Sequence, residues 1–376
     1  MKVDVLVVGA GFTGSVLAER IASQLNKKVL IVDRRNHIGG NAYDEFDTNG
    51  VLIHRYGPHI FHTNSDKVWS YLSQFTNWRS YYHRVCAVIE GKLVPLPFSL
   101  ASLRVLFSDQ LADRLEGKLI ARYGYGAKVP ILKLLEESDS DLQFIAKFVY
   151  ENVFENYTFK QWGLKPESLS PSVTSRVPII VSYDERYFQD VYQAIPRDGY
   201  TSLIRKMLSH PNISVLLQTD FSELQGCVQF KHLIYTGCID EFFNYVHGKL
   251  PYRSLSFEFV SLPVAQYQPV AQVNYPNEYE YTRITEFKHI TGQCNVSHTT
   301  IAYEYPVDYV GGQNEPYYPV PRDENHEIYQ KYIKESESLK NITFAGRLAD
   351  YRYYNMDQAV ARALKLFEDL ADEARF

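Results

Sequence analysis

Gly9-Ala10-Gly11-Phe12-Thr13-Gly14 is the first stretch whose residue types and spacing imply chemistry. It follows an apolar β-branched run (residues 3–8) and precedes Val16, Leu17, Ile21 and Leu25 at helical spacing. In that setting Gly9 allows a tight turn, Gly11 lets backbone approach a pyrophosphate, and Gly14 permits close helix–strand packing. The helix N-terminus then attracts the phosphates. A second apolar run, residues 28–32, ends at Asp33, where a carboxylate would meet a ribose. The reading is dinucleotide binding. A structural glycine turn and a solvated strand-end carboxylate are the alternatives. His54, His59 and His62 lie close in sequence, but no cysteine or near carboxylate completes a metal set, and no metal is expected. Cys86, Cys227, Cys238 and Cys294 have neither zinc-ligand nor disulfide-framework spacing.

The chain of 376 residues is long enough for two or three domains at about 150 residues each. Lys plus Arg is 39 and Asp plus Glu is 44, a net charge of −5, which excludes a generic nucleic-acid binder. The N-terminus lacks a signal-peptide pattern, and the longest uncharged stretch near it is too short to span a bilayer. A cytoplasmic, reduced protein is expected, with no membrane partner. Tyrosine is abundant, 30 residues beside 21 phenylalanines, and offers stacking faces with hydroxyls for polar ligands. Half-buried strand tyrosines are an equal alternative for any single one.

Periodicity sets the elements that must hold the motifs. Residues 84–98 form a hairpin turning at Glu90-Gly91-Lys92. From residue 99 to about 165 the apolar spacing is helical, a satellite bundle. Strand-like alternation fills 170–196 and 252–305. A helix is expected over 200–208, strands at 213–217, 232–235 and 341–345, and a final helix over 355–370 with an apolar stripe of Met356, Val360, Ala363, Leu364 and Phe367. The fold class is α/β plus α+β: a discontinuous Rossmann-like domain (1–80, 197–250, 340–376), a helical bundle (99–165) and an antiparallel sheet (82–98, 166–196, 251–320).

After Asp33 comes Arg34-Arg35-Asn36-His37-Ile38-Gly39-Gly40-Asn41. This glycine pair resembles the FAD signature of two-dinucleotide-binding flavoproteins, in which the last helix aims its positive end at the isoalloxazine. Arg347, after Gly346, would supply a fixed charge there, an ordinary exposed arginine being the alternative. Further motifs follow in order. They are Tyr56-Gly57-Pro58-His59-Ile60-Phe61-His62-Thr63, Tyr157-Thr158-Phe159-Lys160-Gln161-Trp162-Gly163, Tyr183-Asp184-Glu185-Arg186-Tyr187-Phe188, Tyr281-Thr282-Arg283, Glu315-Pro316-Tyr317-Tyr318-Pro319 and Gly346-Arg347-Leu348. As an ordered set spanning nearly the whole chain they closely resemble the bacterial UDP-galactopyranose mutase family.

The resemblance implies an isomerase that interconverts UDP-galactopyranose and UDP-galactofuranose on FAD, active only when the flavin is reduced. Flavin N5 attacks the anomeric carbon, UDP leaves, the sugar recloses as a five-membered ring and UDP returns. It implies a cellular flavin reductant and a homo-oligomer as partners. Arg176 and Arg283 match the family's diphosphate arginines, a role that suits the planar guanidinium fork. Together with His62, near flavin and sugar, they form the catalytic set. Tyr157 and Thr158, with Trp162 nearby, match the uracil side. Tyr187, Tyr318 and Tyr353 match tyrosines around the diphosphate. Gly9, Gly11, Phe12, Gly14, Asp33, Arg34, Gly40, Asn41, His59, Arg347 and Met356 would hold the cofactor. Some relatives carry aspartate where this chain has Asn355; an amide cannot act as acid or base, so Asn355 is given substrate contact only. Residues 165–176, flanked by Gly163 and containing two prolines, are expected to be a moving lid that bears Arg176. A flavin oxidoreductase and a mutase acting on another UDP-pyranose, such as UDP-N-acetylgalactosamine, are the rival readings.

Overall fold

The computed structural model describes residues 1–164, 178–224 and 226–373. Arg176 and the expected lid, 165–176, lie outside the described residues. The first apolar runs become the strands Val5–Val8 and Val29–Val32, at the centre of a five-stranded parallel sheet. Its spatial order is Ile213–Leu216, Val29–Val32, Val5–Val8, His232–Tyr235, Ile342–Phe344. Strands covered on both faces read as continuous apolar runs, which is why these were legible without alternation. The helices Phe12–Leu25 and Met356–Asp372 pack against each other over this sheet. Val16, Leu17 and Ile21 of the first share one core with Val360, Ala363 and Leu364 of the last. The chain's two ends thus share one core and both line one cleft.

A seven-stranded sheet forms the second layer. Its order is Tyr318–Pro319, Tyr252–Leu262, Thr299–Asp308, Arg283–Glu286, Gln272–Asn274, Val85–Ile89, Lys92–Leu96. The last two strands join through Glu90 and Gly91, at φ of +49° and +74°, the two-residue turn that matches strand twist. One pair departs from the antiparallel expectation: Gln272–Asn274 runs parallel to Val85–Ile89. The chain leaves the hairpin into the helices and returns only after a long excursion, so no tight turn dictates direction.

That excursion includes the helices Leu100–Leu106, Asp109–Tyr123, Ile131–Leu135 and Ser140–Val149, which bury Leu103, Leu115, Leu119 and Ile145 against Val85, Ala87 and Ile89 of the sheet. The last of these runs through a π-helical segment, Tyr150–Glu155, into Asn156–Trp162. A wider turn of this kind rotates the face that the following residues present.

The expected sheet membership of 178–196 is corrected. Ile179–Ile180 pairs with Lys128–Val129, and Tyr192–Pro196 joins Phe61–Thr63 and Trp78–Ser80 in a separate three-stranded sheet. Alternation tells which face of a strand is buried but not which strand it joins. Among the described residues no helix is long and apolar enough to cross a membrane.

Candidate active site

The cleft between the two ends of the chain holds a cavity of about 610 Å³. Gly9, Gly11, Phe12, Gly14, Asp33, Arg34, Gly40, Asn41, His59, Arg347 and Met356 all line it. Its floor is made of backbone. A Cβ on Gly9, which has φ +105°, would stand 2.0 Å from Thr236 Oγ1, and one on Gly14 would stand 2.0 Å from the Gly9 carbonyl oxygen. The two glycine loops meet: Gly39 N–H donates to the Ala10 carbonyl at 2.8 Å, and a Cβ on Gly40 would lie 2.9 Å from Gly11 Cα. Helix Phe12–Leu25 starts at Gly11 with no side-chain cap and no acidic residue in its first turn. Its first N–H groups are therefore left for an anion. The cradle fits a dinucleotide.

Asp33 is fixed at the strand end, its carboxylate accepting from the backbone N–H of Ala10 at 2.8 Å and of Arg35 at 2.9 Å. Arg34 and Arg35 both donate to one oxygen of Glu315, each at 2.8 Å. Burial works against the Arg34 charge, but Glu315 outweighs it and holds the guanidinium well above its ordinary range. Glu315 comes from the segment just before Tyr318, so this bridge ties the nucleotide cleft to the seven-stranded sheet. His59 Nδ1 donates to the Gly57 carbonyl at 2.8 Å. Burial, with His54 adjacent, pulls its pKa down to about 3, so the ring facing the cleft is neutral.

Beyond Arg347 lies the second half of the site. Arg347 is held by the carbonyls of Tyr317 at 3.3 Å and Tyr354 at 3.1 Å, and its Cζ is 5.9 Å from the rings of both Tyr318 and Tyr353. Those two rings stack at 4.9 Å, and Trp162 tilts against them at 6.1 Å and 6.4 Å. Tyr157 and Thr158 share the helix of Trp162. Arg283 lies against Glu304, Nη2 to Oε1 at 2.7 Å, from directly paired strand positions. Burial opposes the Arg283 charge; Glu304, then the Tyr157 hydroxyl, overcome it and raise its pKa. Burial likewise pushes the Tyr157 hydroxyl up, and Arg283 pulls it partly back. Among the described residues, Arg283 Nε and both Glu304 oxygens are buried with no hydrogen-bond partner. The pair is close enough for charge attraction yet leaves hydrogen-bonding capacity unused.

His62 sits across the strands from the Tyr192–Pro196 segment. Its Nδ1 bonds Asp190 at 2.8 Å and its ring stacks on Phe188 at 3.7 Å. It is not among the residues lining the nucleotide cavity. Tyr187 meets Phe188 edge-on at 5.0 Å and His83 at 5.8 Å. The structure thus gathers Tyr157, Trp162, Arg283, Tyr318, Tyr353 and Arg347, and sets His62 and Tyr187 on a neighbouring wall joined to them through His83. Asn355 has a structural task that was not read in the sequence. Its side chain accepts from the Gln358 N–H and the Gln358 side chain accepts from the Asn355 N–H, a capping box that starts the last helix.

Glu304, Glu315 and His83 were missed from the sequence. Glu304 sits in a strand run and carries no motif. Glu315 stood inside a quoted motif without a role. His83 has burial pulling its pKa to about 3, followed by the charge of Arg283. A buried acid in a strand (Glu304 is 1% exposed) was the one available signal, since such a group needs a cation.

Comparison with known proteins shows the family. The family model described as UDP-galactopyranose mutase matches residues 152–353, and an NAD(P)-binding Rossmann-like domain matches residues 7–75. A probable UDP-galactopyranose mutase of Klebsiella pneumoniae is 38% identical over 97% of this chain and 94% of its own. A dTDP-fucopyranose mutase of Escherichia coli is 36% identical over 96% of each. The crystal structure of a reduced UDP-galactopyranose mutase superposes with a TM-score of 0.74 over 100% of this chain and 95% of that one, at 16% identity. Putrescine oxidase shares the fold at a TM-score of 0.59 and 11% identity, over 99% of both chains. The chain belongs to the UDP-galactopyranose mutase family.

Proposed function

We propose that the protein interconverts UDP-galactopyranose and UDP-galactofuranose with FAD held in its reduced form. The observation that carries this reading is a buried arginine, Arg283, among stacked tyrosines and a tryptophan, joined through Arg347 to a dinucleotide cleft. In the cleft the glycine cradle and the helix N-terminus at Gly11 would take the pyrophosphate, and Asp33 the ribose. Reduced FAD supplies, when bound, an electron pair at N5 able to displace UDP from the anomeric carbon.

The chain's own residues do the rest. Breaking the C1–O bond leaves charge on a diphosphate. Arg283 stabilises that charge from a site where water is scarce, and its unused Nε donor is available for a phosphate oxygen. Arg176 is given the partner role by the family resemblance alone. The hydroxyls of Tyr318 and Tyr353 serve the same anion, and Tyr157 stacks on the base. His62, held by Asp190, is assigned a place near sugar and flavin by the family resemblance. His59, which lines the cleft, stays neutral and so would add no cation beside a bound flavin.

Reduced enzyme with UDP-galactose should yield the furanose isomer by chromatography, over many turnovers and without net flavin oxidation. Oxidised enzyme should bind the nucleotide and convert none. Full activity with oxidised FAD, or one flavin consumed per product, overturns the reading. The near-equal identity to a dTDP-fucopyranose mutase favours a second reading, a dTDP-6-deoxyhexose substrate. The same assay with both nucleotide sugars side by side separates the two.

A further inference from the structure

We infer that Arg253 is a positioning residue for nucleotide recognition: it pins the end of the helix that carries Tyr157, Thr158 and Trp162. The inference rests on the mutase reading of that helix. Arg253 lies in the strand Tyr252–Leu262, its backbone paired to Tyr318 on one side and Asp308 on the other. Its side chain leaves the sheet toward the helix. Nε donates to the Gln161 carbonyl at 3.1 Å, Nη2 makes a longer 3.5 Å contact to the Lys160 carbonyl, and Nη1 bonds the Asp308 carboxylate. The residue is 9% exposed.

A helix end leaves its last carbonyls without partners, and a cation there is favourable on two counts, hydrogen bonding and the helix dipole. Gly163 closes the same end in the left-handed region, φ +67°, with its N–H on the Phe159 carbonyl at 2.8 Å. A Cβ at Gly163 would stand 3.3 Å from Arg253 Nη1, so glycine also admits the guanidinium. The helix continues from a π-helical segment, Tyr150–Glu155, a feature often found at functional sites. Lys160 Nζ on the Tyr275 carbonyl at 2.9 Å and Asn156 on Asn277 at 3.0 Å hold one flank; Arg253 holds the end. Trp162 is thereby set against Tyr318 and Tyr353, while the backbone of Arg253 is paired to Tyr318 itself. One residue therefore registers both sides of the aromatic cluster. Arg253 is absent from the lining of the cofactor cleft and instead lines, with Trp162 and Gly163, a separate cavity of about 730 Å³; its bonds to the helix run to the Gln161 and Lys160 carbonyls.

The test is calorimetric titration of the FAD-loaded protein with UDP, beside steady-state kinetics of the reduced enzyme. Arg253→Met should raise the UDP Kd and the KM roughly 10- to 100-fold, the scale of an ångström-level misplacement, with a much smaller change in kcat. The flavin spectrum should be unchanged. Arg253→Lys should recover part of the affinity, since an ammonium reaches a carbonyl without the planar fork. Asp308→Asn keeps both carbonyl contacts and should stay within about twofold of wild type by the same reasoning. Equal UDP affinity in Arg253→Met overturns the assignment. So does loss of bound FAD in both Arg253 variants in step with UDP affinity, which is a general folding defect. If Arg253→Met does not fold, Arg253→Lys decides, and wild-type affinity there overturns it. A wild-type protein that binds no UDP overturns the mutase reading, and the role of Arg253 with it.

Discussion

Replacing Arg283 with methionine removes a cation from the substrate site and strands a carboxylate behind it. The two consequences have separate sizes and separate assays. Glu304 is 1% exposed, and among the described residues its close cation is Arg283, Nη2 at 2.7 Å. Removing one member of a buried pair costs ~3–5 kcal/mol of stability, relieved in part when the orphaned acid takes up a proton. The catalytic loss has another origin. One preorganised donor aimed at developing negative charge is worth about 10²–10³ in kcat, or ~2.7–4 kcal/mol. Arg283→Met should therefore be both less stable and slower. The double variant Arg283→Met/Glu304→Gln removes the buried charge and should regain most of the stability, because a neutral amide is far cheaper to bury than an unpaired carboxylate. It should regain none of the rate. Thermal unfolding and initial rates of dithionite-reduced enzyme, on both variants with FAD content matched, give the comparison. Recovery of rate together with stability would refute the leaving-group role and reduce Arg283 to a structural counter-ion.

Three further outcomes follow from the same geometry. Gly40→Ala forces a side chain onto a φ of +56°, with its Cβ 2.9 Å from Gly11 Cα, and should release FAD, read as lost absorbance near the flavin bands after desalting. Burial holds His54 at about 4 and His83 at about 3, against 6.5 for the free ring, so the unfolded chain binds protons there that the folded one refuses. Stability should thus be full above about pH 6.5 and fall as pH drops from there toward 4, by up to ~1.4 kcal/mol per unit for each ring; urea midpoints across that range that stay flat would contradict it. Asn355→Ala removes the cap of the last helix and should cost ~1 kcal/mol in a denaturation series, whereas Asn355→Asp should keep the cap and add ~0.3–1 kcal/mol through the helix dipole.

Local chemistry was legible in the sequence. Gly9, Gly11 and Gly14 state their purpose through spacing, because turn, phosphate approach and helix packing are all settled within a few residues. The buried strands and the last helix declared themselves by unbroken apolar runs and by a stripe of period 3.6. The hairpin at Glu90-Gly91 was visible because turn chemistry is local. The ordered motifs were enough to reach the family. Partnership over distance was not legible. Nothing in the Tyr192–Pro196 segment says that it pairs with Phe61–Thr63, and so nothing says that Asp190 will hold His62. Nothing near Asn355 separates a substrate contact from a helix cap until the start of the helix is known to within one residue. Glu304 meets Arg283, Glu315 meets Arg34 and Arg35, and Arg253 meets the Gln161 carbonyl only because strands and helices distant in the chain come into one register. Side-chain periodicity tells each segment which face to bury, but the counter-charge for a buried ion is chosen by the packing of whole layers, and that choice is made in three dimensions.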